Sequence, residues 1–151
     1  MKSDYLKFWR VIRYYIKAKY GLGQADLDIL LFLYSEKYFS KKDFDGFNSL
    51  LSWDKDRFER LRQEGWIENF REKINARRAI YGLSIKATRM IKSIYNKLEG
   101  QEIPMAPQNN PIYKRNVSYS DKVYRNMITR MNKAIRDHKL QNNNDIAFLD
   151  D

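Results

Sequence analysis

SWDKDRFERLRQEGWIENFREKINARRAIYGLSIKATRMI, residues 52–91, changes its period twice, and those changes decide the fold. Ser52 is a residue type that opens helices, because its hydroxyl accepts a hydrogen bond from a backbone N–H left free in the first turn. Beyond it, at 100° per residue, Phe58 and Leu61 share one side, while Asp56, Glu59, Arg60 and Gln63 take the other and Lys55 flanks them. Gly65 stands where a left-handed residue ends a helix, so the pattern predicts a helix over residues 52–64. Residues 66–71 and 79–83 then alternate as strands do, joined by a polar tip, residues 72–78, that contains Asn75 and no glycine. Ser84 caps a second helix, which ends at Gly100. Residues 71–78 gather Arg71, Lys73, Arg77 and Arg78 against a single acid, Glu72.

Upstream, Tyr5, Phe8, Trp9, Ile12, Tyr15 and Ile16 recur at three- and four-residue spacing and predict a first helix ending near Tyr20. Gly21 and Gly23 break it, and residues 24–36 resume as a very apolar helix of the kind that sits at the centre of a core. Ser40 caps a third helix, residues 41–50, with Phe44, Phe47, Leu50 and Leu51 facing inward. Downstream, residues 101–117 hold all three prolines and predict an extended connector crossing the surface. Ser120 caps an amphipathic helix over residues 118–140, whose stripe is Tyr124, Met127, Ile128, Met131, Ile135 and His138. Residues 141–151 are expected to be a frayed tail in which Ile146, Phe148 and Leu149 offer a small docking point.

Composition bounds the function. The 151 residues suffice for one domain with a core, and 29 basic against 19 acidic side chains give a net charge of +10. Of that excess, +8 lies in residues 1–100 and +2 in residues 101–151. A cationic surface of this size favours a polyanionic partner. The longest unbroken apolar run, residues 29–34, is far short of the roughly 18 residues of a membrane span. Arg10 and Arg13 interrupt what would be the apolar core of a signal peptide, so no membrane association is expected and the setting is cytoplasmic, in a bacterium or in the host cell of a virus. The absence of cysteine removes disulfides, thiolate zinc sites and thiol nucleophiles. No metal site, cofactor or catalytic constellation is expected: the acid pairs Asp43/Asp45 and Asp54/Asp56 have no histidine beside them, and the glycines lack phosphate-loop spacing.

The order helix, helix, short helix, capped helix, glycine, hairpin, helix is that of a winged helix-turn-helix. The expected class is therefore mainly α with a small antiparallel β-hairpin, carrying an extra N-terminal helix and a C-terminal helix. Residues 52–67, SWDKDRFERLRQEGWI, resemble the recognition-helix segment of MarR-type transcription regulators, and residues 81–90, YGLSIKATRM, resemble the exit from that family's wing. The resemblance spans residues 24–98, with residues 1–20 as a first helix that in the family helps to build a dimer. It departs at Ala87, where the family usually has glycine, and in the proline-bearing connector. It implies sequence-specific binding to double-stranded DNA, a homodimer formed through the N- and C-terminal helices, and no enzymatic activity.

A major groove about 12 Å wide admits one helix, and a hairpin beside it can carry arginines into the adjacent minor groove. The residues this assigns to DNA are Lys41, Lys42, Ser52, Lys55, Asp56, Glu59, Arg60, Arg71, Lys73, Asn75, Arg77 and Arg78. Lys41, Lys42 and the wing serve phosphates, while Asp56 and Glu59 select bases. Residues 53–64 are nevertheless net neutral, which keeps a second reading open: a winged-helix module whose helices contact another protein of the transcription or replication machinery.

Overall fold

The computed structural model describes residues 5–71 and 77–149, with side chains described up to Ile146. Two compact units share the chain, Leu22–Ser93 and a second built from the N-terminal residues up to Gly21 together with residues from Ile94 onward.

Unit Leu22–Ser93 follows the order α2 (Gln24–Glu36), β1 (Tyr38–Phe39), α3 (Lys41–Asn48), α4 (Arg57–Gln63), β2 (Ile67–Arg71), β3 (Ile80–Leu83) and the first part of α5 (Ile85–Leu98). α2 is the central helix: Leu27, Ile29, Leu30 and Leu33 are fully buried, each burial favouring the fold by about 1.5–3 kcal/mol. Around it close Phe44, Phe58, Leu61, Trp66, Ile67, Met90 and Ile91. The expected hairpin is part of a three-stranded antiparallel sheet ordered β1-β3-β2. β1 escaped the sequence reading because two residues cannot display a period. Register pairs Phe39 with Tyr81 and Asn69 with Tyr81, so these rows share a face. On it the rings of Phe39, Tyr81, Phe58 and Phe44 follow one another at centroid separations of 6.3, 4.9 and 5.0 Å.

Caps account for most helix boundaries. Ser40 and Asp43 form a reciprocal capping box at α3. Gly65 takes φ +83°, and Trp66 N–H bonds to Leu61 O at 2.9 Å, closing the left-handed end of α4 as expected. The start of α4 differs from expectation by five residues, because residues 52–56 form a turn rather than helix. There Asp54 Oδ1 accepts from its own neighbour two residues on, Asp56 N–H, at 2.9 Å, and Asp54 O accepts from Asn48 Nδ2 at 3.0 Å. Local side-chain bonds of this kind offer the backbone an alternative to helix. α2 ends on Lys37 at φ 64°, ψ −64°, the rare γ-turn region that costs a side-chain-bearing residue about 1–3 kcal/mol.

The other unit contains α1 (Tyr5–Tyr20), the end of α5, a 3₁₀ turn (Pro111–Tyr113) and α6 (Tyr119–Leu149). Its core includes Phe8, Val11, Ile12, Tyr15 and Ile16 of α1 and Ile128, Met131 and Ile135 of α6. Tyr14 and Tyr124 stack at 3.7 Å, and Tyr14 Oη donates to Asp121 at 2.5 Å. Burial first, and that bond second, push the Tyr14 phenol up to about 12. Residues 101–117 are tied down rather than loosely extended: Asn132 both accepts from Ile103 N–H and donates to Ile103 O at 2.9 Å. Ile103, Asn110 and Ile112 are buried there.

α6 is capped by Ser118, whose Oγ accepts from Asp121 N–H at 3.2 Å, where Ser120 was expected. It runs past residue 140, and His138, expected in the packed stripe, is exposed beside Asn142. Ile146 is 57% exposed, while the side chains of Phe148 and Leu149, expected to join it in a docking point, lie outside the described residues.

Candidate nucleic-acid interface

The N-terminus of α3 supplies two of the expected cations. Lys41 and Lys42 follow the Ser40 cap and are exposed. Lys41 pairs loosely with Asp45 at 3.7 Å in the i,i+4 geometry of a solvated helix face, which leaves it available for exchange with a phosphate. Its Nζ also stands 5.9 Å from the centroid of the Phe58 ring. Asp43 is held below the usual carboxylate range, chiefly by hydrogen bonds from Ser40 and then by the positive charges of Arg78 and Lys42. Arg78 therefore acts on the start of α3 although 35 residues separate it from Asp43.

Arg77 and Arg78 are exposed, as a wing cation must be. Lys73 and Asn75 lie outside the described residues. Arg71 does something else: half-buried, it donates from Nη2 to Arg78 O at 3.1 Å and so fastens the two arms of the hairpin below the tip.

α4 departs most from the expected arrangement. Arg60, assigned to the outer side, donates to Asp26 of α2 at 2.8 and 3.0 Å and to Asp54 at 2.8 Å. Arg57, 4% exposed, donates from Nε to Asp26 at 2.8 Å and from Nη1 to Ser52 O at 2.9 Å and to the Asn48 side chain. Arg62 pairs with Glu59 at 3.1 Å and lies over the Phe58 and Tyr81 rings at 5.8 and 5.4 Å. Every arginine of α4 is thus engaged within the chain. Asp56 is exposed as the residue before the helix, Glu59 is exposed within it, and Ser52 and Lys55 are exposed on the preceding turn.

The network centred on Asp26 was invisible to sequence reasoning, which treated α2 only as an apolar rod. The available signal was an acid in the first turn of an otherwise hydrophobic helix, since a carboxylate there asks for a cationic partner. Leu50, expected to face inward from a helix over residues 41–50, is instead 81% exposed because α3 ends at Asn48, and Trp53, 69% exposed on the same turn before α4, was unforeseen.

A short helix, a turn and a second helix followed by a twisted hairpin and a further helix constitute a winged helix-turn-helix, and the sheet order β1-β3-β2 completes it. Among solved structures the chain is similar to AbfR of Staphylococcus epidermidis, at 11% identity over 88% of this chain and 83% of that one, with a TM-score of 0.41. It is similar also to MarR, at 20% identity over 89% and 97% of the two chains and the same TM-score of 0.41. No protein-family model and no curated protein matches it.

Proposed function

We propose that this chain is a winged-helix transcriptional regulator that binds double-stranded DNA, gripping phosphates with the start of α3 and the wing. The observation that supports the reading is that Arg78 of the wing and Lys42 of α3 both act on Asp43 of the capping box, from segments distant in sequence. Arg77, next to Arg78 in the chain, is exposed as well. Because the α4 arginines are paired internally, most of the affinity is assigned to phosphates rather than to bases. Base selection falls to Lys55, Asp56 and Glu59. A dimer formed through α1 and α6 would present two such surfaces to related half-sites. Fluorescence anisotropy with labelled random-sequence duplexes tests the reading. R77A/R78A and K41A/K42A should each weaken binding to all sequences, while D56A and E59A should change which sequence is preferred. Wild-type affinity in both double-lysine and double-arginine variants would refute it.

A second reading rests on the exposed Leu50 and Trp53 together with the neutralised α4, which suit contact with a protein of the transcription or replication machinery. Under it, L50E/W53E abolishes capture of a partner protein and leaves any DNA affinity intact. Loss of DNA affinity in that variant would favour the first reading.

A further inference from the structure

On the outer face of the sheet lies a cavity of about 600 Å³, wholly within unit Leu22–Ser93. Its size falls in the range of small-molecule sites, roughly 300–1,000 Å³. Register fixes its walls: Tyr38 and Glu68 both pair with Gly82, so the three share a face, and Phe70, at the irregularity between Asn69 and Arg71, is brought to that face by its contact with Tyr38. The Tyr38 and Phe70 rings meet at 4.3 Å and are 54% and 62% exposed. Two large aromatic groups left in water on one sheet face are an unusual expense of hydrophobic surface. Leu33 and Leu83 add aliphatic lining, and Lys37 lines the cavity as well.

Lys37 is also the residue held at φ 64°, ψ −64°. Its carbonyl oxygen would be 3.4 Å from a Cβ built on Gly82, so the strained turn is packed against the floor of the cavity. Strained residues that carry side chains gather at ligand clamps, where the surrounding structure fixes them. Among the described residues neither Lys37 nor Glu68 forms an ion pair. The cavity therefore offers one cation, one anion, two aromatic rings and an aliphatic lining.

We propose that this cavity binds a free aromatic α-amino acid, with Lys37 receiving the carboxylate, Glu68 the ammonium group, and Tyr38 and Phe70 the ring. A ligand with one charge leaves the opposite protein charge uncompensated, and an aliphatic zwitterion leaves the aromatic pair in water. The proposal does not depend on DNA binding.

Isothermal titration of the full chain with L-phenylalanine, phenethylamine and 3-phenylpropionate tests it, alongside K37M and E68Q, which alter exposed side chains. The expected result is saturable binding of L-phenylalanine and at least tenfold weaker binding of both single-charge analogues. K37M should bind L-phenylalanine no better than phenethylamine, and E68Q no better than 3-phenylpropionate. Amide chemical-shift changes should centre on Lys37, Glu68 and Gly82. Absence of saturable L-phenylalanine binding, equal binding of an analogue by the wild type, or full affinity in both variants would overturn the proposal.

Discussion

Arg57 and Arg60 face the same carboxylate with different exposure, and that difference sets what each is worth. The Arg57 side chain is 5% exposed and that of Asp26 14%, so the pair was taken out of water to form. Removing one partner of such a pair strands the other, at a cost of about 3–5 kcal/mol. Arg60 is 37% exposed, and solvent screens its contribution to about 1 kcal/mol or less. R57A should therefore lower the unfolding free energy in urea several times more than R60A does. Equal losses would mean that the Asp26 network is a surface feature. The type of residue 57 was plain in the sequence, but its burial was not. Burial depends on Asp26, 31 positions earlier, and on a turn whose geometry comes from Asn48 and Asp54.

At the scale of elements, boundaries set by a single chemical device were legible. Ser40, Gly65 and Ser84 each act where they were expected, because a hydroxyl or a missing Cβ solves a local problem within a few residues. Boundaries decided by competition were not legible. Ser52 has the right chemistry for a cap, yet Asp54 and Arg57 use the same backbone groups for a turn, and α4 starts at Arg57. α3 provides a direct check. S40A should destabilise the protein by about 1 kcal/mol at neutral pH. The accompanying pH dependence follows from Asp43, whose folded-state value lies below the ordinary 3.8. A depressed carboxylate contributes stability that is fully present above 3.8 and is lost as pH falls through its lower folded value. Chemical denaturation of wild type and D43A should therefore show a gap that narrows below pH 3.8, and a gap unchanged down to pH 2 would contradict the capping box.

For the whole molecule, fold class followed from element order, while the assignment of surfaces to partners needed coordinates. Helical spacing identified the buried stripes of α1 and α6, but it could not show that Leu6, Tyr5 and Met127 remain 86%, 46% and 37% exposed. Under the proposed dimer these residues are covered by the second chain. Sedimentation should give a species of twice 18.3 kDa for the wild type and a monomer for L6E/M127E. A wild-type monomer at micromolar concentration would remove the paired half-sites from the proposal.

The charge of +10 matters to function only if the wing and α3 deliver it to phosphates. The most direct test is the dependence of duplex-DNA affinity on salt, compared between wild type and R77A/R78A. Each phosphate contact contributes about −0.9 to the slope of log K against log salt on B-form DNA. A linear fall is expected for the wild type, with a slope shallower by about 2 in the variant. A wild-type affinity indifferent to salt, or parallel lines for the two proteins, would contradict it.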